Sequence, residues 1–402
     1  MTFSADTGRI EQRQVRIGIV GGGLMGRELA AVCGRWMALL DHPCRPEVVA
    51  VADPAPAARD WFARLPSSPR LSADWREVIE DDGVDVLYLA VPHDLHEEIC
   101  LAAAAAGRDF LGEKPFGIDL AAARRIVEAV ERSGSFVRVS SEMPFFPGAQ
   151  RAVRLAASGA LGEVIEVRSG FAHSSDLDRS KPINWKRQAI RCGVLGVLGD
   201  LGMHVAHVPL RLGWRPASVY ALLDDIVRER PGPDGPPVPC DTWDNALLAC
   251  RVPTSGRDQG INGDQGIGGG EPRAFPMLWE TRRIAPGQMN TWWFEALGMD
   301  GGVRFSTRSP AVGERFAVRG GEQVWEQVQP GHSSIWPTIT GGIFEFGFPD
   351  ALLQMWAAYL AEREGALGER FACATPAEAL AAHEVFDAAL RSHISGSAEA
   401  VA

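Results

Sequence analysis

The chain has 402 residues, 46% of them hydrophobic and 23% charged, and its 51 acidic against 40 basic side chains leave a formal charge of −11. That length exceeds one ordinary core and predicts two domains. The acidic balance offers no basic stripe to a phosphate backbone, no apolar run reads as a membrane span and residues 1–14 show no apolar leader, so nucleic acid, membrane and secretory pathway are all excluded as expectations.

The first third alternates short apolar runs with helical patterns, the signature of a parallel sheet covered on both faces. Strands are expected at Val15–Val20, Val48–Ala52, Val84–Val91, Asp109–Leu111 and Phe136–Ser140, with helices at Leu24–Leu40, Leu95–Ala106 and Leu120–Arg132. This is a doubly wound α/β domain of Rossmann type, assigned to residues 1–145. After Phe146 the pattern changes. A helix near Gly148–Ala157 leads into alternating segments at Glu163–Phe171, Ser218–Leu223, Asn245–Val252, Met277–Ile284, Thr291–Leu297, Val303–Thr307 and Arg315–Arg319. Met299-Asp300-Gly301-Gly302 and Gly320-Gly321 are hairpin signals between them. Residues 146–402 therefore read as an α+β domain with a large, mostly antiparallel open sheet. Pro231–Pro239 reads as irregular and 255–271, rich in Gly, Asp and Gln, as an insertion. Helices at Ala351–Glu364 and Pro376–Ser392 finish the chain, with the C-terminal helix expected to pack back on the first domain. The seven cysteines are scattered and form no C-x-x-C pair, which suits small buried hydrophobes in a reducing compartment, the cytoplasm.

Gly21-Gly22-Gly23-Leu24-Met25-Gly26 fits G-x-G-x-x-G between a strand and a helix. Gly21 permits the tight turn, Gly23 the approach of a pyrophosphate, and Gly26 the packing of helix on strand. The phosphates then meet free N–H groups at the helix N-terminus, beside Leu24 and Met25. Asp53, at the end of the second strand, either accepts hydrogen bonds from the adenosine ribose or caps the helix that follows. A carboxylate there repels a 2′-phosphate, and Pro54, Ala55 and Pro56 offer no arginine to bind one, so NAD is expected over NADP.

Three further segments extend the reading: Val91-Pro92-His93-Asp94-Leu95-His96 after one strand, Gly112-Glu113-Lys114-Pro115 after the next, and Asp200-Leu201-Gly202-Met203-His204 in the second half. With the glycine turn and the Gly159–Glu163 approach to the second domain's first strand, these resemble the Gfo/Idh/MocA family of oxidoreductases, glucose–fructose oxidoreductase and inositol dehydrogenase among them, over nearly the whole chain. The resemblance implies an NAD-dependent dehydrogenase or reductase of a secondary hydroxyl on a sugar, glycoside or cyclitol. It carries over Lys114, Asp200 and His204 as the catalytic trio, and Val91, Pro92, His93, His96 and Glu113 as residues beside the cofactor. Glu142 stands where the family frequently has Asn, and so becomes a candidate neighbour of the nicotinamide or the substrate.

The chemistry suits these residue types. Oxidising an alcohol needs a proton acceptor near neutral pKa, which imidazole supplies. Asp200 and His204 are i and i+4, hence on one helix face. Lys114 leaves the C-terminal end of a parallel strand, where open α/β sheets place ligands, and its charge would steady an alkoxide. Each residue also has a structural alternative: Lys114 as a solvated charge, His204 as a core histidine, Asp200 as a helix cap, His96 as a pin for its own helix. Trp185, Lys186 and Arg187 are expected at the substrate, the indole stacking on a polyhydroxylated ring while the cations hydrogen-bond its hydroxyls. Of Trp292 and Trp293, alternation sends one to the core and the other to an interface or pocket. No metal is expected, since no further ligands stand at matching spacing. The resemblance also implies a homodimer or homotetramer, and two other outcomes within the family: an NAD-dependent glycoside hydrolase using transient oxidation, and a catalytically inactive nucleotide-binding regulator.

Overall fold

A computed structural model describes residues 12–233, 235–254, 273–330, 334–341 and 344–402; the 255–271 insertion expected from sequence lies outside these. The first unit is a six-stranded sheet, every pairing parallel: β1 (Arg13–Val20), β2 (Cys44–Ala52), β3 (Arg70–Ser72), β4 (Val86–Leu89), β5 (Phe110–Gly112) and β6 (Val137–Val139), in the order β3-β2-β1-β4-β5-β6. Helices α1 (Leu24–Arg35), α2 (Pro56–Phe62), α3 (Arg76–Ile79), α4 (His96–Ala105) and α5 (Leu120–Ser133) connect them. The strand order reverses between β1 and β4, and ligands of such sheets bind in the crevice at that switch point. Strands β4 and β5 are continuously buried, which explains their uninterrupted apolar sequence. The short β3, whose three residues carry little apolar signal, has no counterpart among the strands expected from sequence.

After α6 (Pro147–Ala157), β7 (Val164–Ala172) enters a nine-stranded sheet of order β16-β15-β14-β13-β7-β12-β11-β8-β17. Two helices, α7 (Ala189–Cys192) and α8 (Val197–Arg211), precede β8 (Ser218–Asp224); β9 (Glu229–Pro231) and β10 (Pro237–Pro239) form a separate two-stranded hairpin. The sheet continues through β11 (Asn245–Pro253), β12 (Ala274–Arg282), β13 (Thr291–Gly298), β14 (Gly302–Ser306), β15 (Gly313–Arg319) and β16 (Glu322–Val328). All its pairings are antiparallel except β12 with β7. Strict alternation in β11 and β12 buries one face on α8 and leaves the other outward, with Tyr220, Leu222 and Leu247 exposed there. Two expectations need correction. Pro231–Pro239 is not irregular, because β9 and β10 pair and buried Arg230 is held by the carbonyls of Asp176, Asp178 and Lys181. A further strand, β16, follows the Gly320-Gly321 turn, both residues of which have positive φ.

α9 (Phe348–Arg363) and α10 (Pro376–Ser395), followed by β17 (Glu399–Ala400), return the chain to the first unit. Buried His383 on α10 bonds the Pro115 carbonyl at 2.9 Å, and Arg363 on α9 pairs with Asp109 at 2.7 Å. These contacts tie both helices to the first unit, while α10 also packs along β8 of the second sheet. One exclusion made from sequence also fails in its letter: Ala189–Arg211 is long and apolar enough to cross a membrane, at mean hydropathy 1.3. Here it is the core of the second unit, broken at Gly193–Gly196, with 78% of the apolar window buried inside the fold.

Candidate active site

A cavity of about 910 Å³ runs from the glycine turn after β1 to α8, so both units line it. At its first end, Gly21 has φ +103°, and a Cβ there would sit 2.2 Å from the Ala90 carbonyl oxygen; only glycine lets β1 and β4 exit this close together. Gly26 is buried, and its Cβ would lie 2.3 Å from the Gly21 oxygen, so it packs α1 on the turn and does not line the cavity. Gly23, Leu24 and Met25 do line it. Helix α1 begins at Gly23 without a side-chain cap, and a Cβ on Gly23 would meet nothing within 4 Å. Uncapped N–H groups facing open space suit an anion, so these residues fit a dinucleotide pyrophosphate.

Asp53 lines the same end, but its side chain does not cap α2, whose N-cap is Ala55 without a side-chain bond. One oxygen accepts from the Gly22 N–H and the other from the Ala55 N–H, each at 2.8 Å, bracing the glycine turn and the entry to α2. Trp75 and Arg76, which the sequence reading missed, flank this end; the guanidinium stacks 4.1 Å from the indole centroid and pairs with Asp74 and Glu98.

Val91, Pro92 and His93 line the middle of the cavity. The His93 Nδ1 lies 2.9 Å from the Cys192 carbonyl, which can only accept, so Nδ1 carries the hydrogen and Nε2 is left as an acceptor. Burial holds this imidazole well below its ordinary pKa, and neighbouring His96 and Lys114 push it the same way. His96 does not reach the cavity. Its Nε2 meets the Val91 carbonyl at 3.0 Å and its Nδ1 accepts from the Gly117 N–H at 3.3 Å, tying the two strand exits together behind the wall. Glu113 does reach the cavity and accepts a 2.7 Å bond from the buried Tyr88 hydroxyl.

At the second end, Lys114 from the exit of β5 meets Asp200 and His204 from α8. The Lys114 ammonium donates to the Asp200 carbonyl at 2.6 Å and to its Oδ1 at 2.9 Å. Lys186 donates to the same Oδ1 at 2.7 Å, and the Arg283 guanidinium approaches Oδ2 at 3.6 Å. Burial disfavours the Asp200 charge, but Lys114, Lys186 and Arg283 together outweigh it and hold the carboxyl well below its ordinary range. Burial likewise works against the Lys114 ammonium, and Asp200 with Glu113 overcomes it, raising the pKa. Lys186 is lowered, by burial first. His204 is held far below 6.5 by burial and then by the Lys114 charge, so it rests as a neutral imidazole. Its Nδ1 faces the Ser141 hydroxyl at 3.4 Å and the Glu142 carboxylate at 3.8 Å. The Phe171 ring packs edge-on against it at 5.2 Å, and buried Trp292 donates to its backbone carbonyl at 2.8 Å, pinning α8 to the sheet. Trp292 is thus the core member of the tryptophan pair, whereas half-buried Trp293 covers Gly170.

Trp185 lines the cavity with its ring 4.9 Å from His93 and 5.6 Å from the Lys186 ammonium. Arg187, expected beside them at the substrate, is wholly buried on the opposite side, with its guanidinium on Asp244 and the Val227 carbonyl. Three residues of one turn point in different directions, and only Trp185 and Lys186 face the open space. Also lining the site and missed from sequence are Phe171, His173 and Asn290. Burial brings His173 down to about 4. A side cavity of about 330 Å³ shares Trp185, Lys186, His173 and Asp200 with the main one and is backed by Arg283. Arg283 follows a strand whose alternation explained its neighbours, and Asn290 sits at φ +51° in a loop; neither belonged to a spacing pattern. Among the described residues, no three His, Cys, Asp or Glu side chains are grouped to hold a metal ion.

Comparison with known proteins agrees with this architecture. A family model described as "Oxidoreductase family, NAD-binding Rossmann fold" matches residues 15–141, and the GFO/IDH/MocA C-terminal domain matches residues 149–256. Levoglucosan dehydrogenase of Pseudarthrobacter phenanthrenivorans is 27% identical over 310 residues, 73% of this chain and 74% of the relative. Trans-1,2-dihydrobenzene-1,2-diol dehydrogenase of Sus scrofa is 29% identical over 191 residues, 47% of this chain and 53% of that protein. Among solved structures, levoglucosan dehydrogenase in complex with NADH and L-sorbose superposes with TM-score 0.83 at 23% identity, covering 97% of this chain and 100% of the other. An oxidoreductase domain protein from Kribbella flavida gives 0.84 at 22% identity, with the same coverage of both chains. At such identities the superpositions speak for the fold.

Proposed function

The chain belongs to the Gfo/Idh/MocA family of NAD-binding oxidoreductases, and from that premise we propose that it oxidises a secondary hydroxyl of a sugar, glycoside or cyclitol, or reduces the matching ketone, with NAD as hydride carrier. The observation that carries the reading is the meeting of Lys114 from one unit with Asp200 and His204 from the other, at the wall of one cavity that also holds the glycine turn. Bound NAD would supply a hydride acceptor. Gly23, Leu24, Met25 and Asp53 would hold its nucleotide portion, and His93 and Glu113 would lie further along.

The remaining work falls to the chain's own side chains. His204, neutral and buried, accepts the hydroxyl proton. Lys114, fixed by Asp200, places a cation beside the oxygen as its charge develops, in a site where burial strengthens the attraction. Trp185 offers an apolar face to a ring while Lys186 donates to its hydroxyls. The named substrates of the relatives, an anhydrosugar and a diol, are of the proposed class. We also propose a cytoplasmic protein, in keeping with seven free cysteines, and a homo-oligomer joined through the outer sheet face that exposes Tyr220, Leu222 and Leu247.

A panel of sugars, glycosides and inositols with NAD or NADP, read by nicotinamide absorbance, tests the activity. Stoichiometric NADH with at least one polyol is expected. Aglycone release without net NADH would indicate a hydrolase instead, and inactivity across the panel a regulator. Lys114→Ala should lower turnover about 10²–10³-fold, the cost of removing one donor to a developing oxyanion, with NADH affinity by fluorescence titration nearly unchanged. Unaltered turnover would refute the assignment of Lys114.

A further inference from the structure

Glu142 sits where β6 turns toward α6, 4% exposed, on the cavity wall and on the Nδ1 side of His204. Nothing in a hydride transfer to nicotinamide requires a second buried carboxyl there. We propose that Glu142 is the terminal proton acceptor of the reaction, acting through His204 as a relay; the proposal rests on the reading of His204 as the residue that takes the hydroxyl proton.

The geometry sets the direction. An imidazole that takes a proton at one nitrogen can release one from the other, and the Nδ1 of His204 has two oxygens near it: Ser141 Oγ at 3.4 Å and Glu142 Oε2 at 3.8 Å. As the substrate O–H breaks, its proton bonds to Nε2 and the Nδ1–H proton passes to the Glu142 carboxylate, directly after a small approach or through the Ser141 hydroxyl. The hydride leaves the same carbon for nicotinamide. The products are a ketone, a neutral His204 in its other tautomer, and a carboxylic acid at Glu142; charge and atoms balance. The imidazole never carries net charge, which its surroundings strongly disfavour: it is buried, with Lys114 close by. A static imidazolium would have to hold its proton against both.

Glu142 is suited to hold the proton. Groups facing it are Glu113 and Lys114 from the exit of β5, Tyr88 from β4, and His204 from α8, while Phe348 from α9 lines the same cavity. Burial and then the Glu113 charge raise it to about 7, against the opposing pull of Lys114. A carboxyl with a raised pKa accepts a proton near neutrality and is ionised above it. For oxidation Glu142 must start ionised, so the rate rises with pH through about 7 or somewhat below, a cationic nicotinamide favouring the carboxylate. For ketone reduction it must start protonated, and the rate falls over the same interval.

Three measurements test this. Infrared titration of the cofactor-free protein should show a protonated-carboxyl band lost with a midpoint near 7 in the parent and missing in Glu142→Gln; no such band overturns the proposal. In Glu142→Gln, kcat for oxidation should fall on the order of 100-fold, the low end for loss of a general base, with KM little changed and the pH limb abolished. Glu142→Asp should recover part of the rate and restore the limb. If Glu142→Gln folds, as judged by its NADH affinity, and keeps both rate and limb, the relay is wrong while His204 stands. If His204→Gln itself retains full turnover, the underlying reading of the site fails instead.

Discussion

Asp200 and Asp244 are both almost fully buried carboxylates, and both sit against the cationic turn at residues 185–187, yet they are built for opposite ends. Asp244 faces one guanidinium, that of Arg187, and its remaining oxygen accepts from the Val227 N–H at 2.8 Å. That guanidinium also approaches Asp176 at 3.7 Å, and Asp244 lines neither of the two cavities. Asp200 faces Lys114, Lys186 and Arg283 and lines both cavities. Three cations converge on this one carboxylate, with Glu113 offsetting part of the Lys114 charge, in a site of low dielectric. Carboxylates sealed around one guanidinium are scaffolding; an open carboxylate outnumbered by its cations is a field waiting for an anion. On the proposed reading that anion is the alkoxide.

The comparison breaks most sharply at Asp244. Asp244→Ala leaves Arg187 with only the more distant Asp176, at 3.7 Å, and losing one side of a buried pair costs roughly 3–5 kcal/mol. Urea denaturation should show that loss, with turnover per folded molecule changed much less than by Lys114→Ala. A stable Asp244→Ala variant with impaired catalysis would mean that the two carboxylates had been assigned the wrong way round.

Much of this contrast could not be read from sequence. Trp185, Lys186 and Arg187 are consecutive and each could offer a sugar a contact, but a single turn of chain sends adjacent residues to different faces. Their directions depend on β11 and the 224–228 loop, distant in the chain. Arg283 and His173 share that fate: each is positioned by the sheet, and neither forms a local spacing. What was legible was local or repetitive. The glycine turn acts through its own backbone, and the i, i+4 pair on α8 needs only a helix. Strands β4 and β5 announce themselves by being apolar throughout. His96 shows the limit of position alone, since its strand-exit location is right and its side chain points behind the wall.

Lys186 sharpens the comparison with a smaller effect. Its side chain is 39% exposed, against 15% for Lys114, so water screens its share of the field more strongly. Lys186→Ala leaves Asp200 paired with Lys114 and Arg283. We expect kcat/KM to fall about tenfold, the scale of one charged hydrogen bond at its weaker end, and mostly through KM. Steady-state kinetics distinguish this from Lys114: equal losses in kcat for the two variants would show that Asp200 pools its cations without ranking them.

The smallest expected effect concerns how the open site keeps its geometry without being sealed. Asp244 is immobilised by its own ligands, whereas α8, which carries Asp200 and His204, has a glycine at its start and borders a cavity along one side. Its anchor is Trp292, whose indole N–H donates to the His204 carbonyl and whose ring is completely buried. Trp292→Phe keeps an aromatic ring there and removes the donor, at a cost of about 1 kcal/mol for one lost hydrogen bond. If that bond only adds stability, the melting temperature drops and kcat on the folded protein stays put. If it also sets the distance between His204 and Glu142, kcat falls while the midpoint of the pH limb holds, because the charges around Glu142 are untouched. A shifted midpoint would contradict both, since it would require that α8 had carried Asp200 and its cations away from the site.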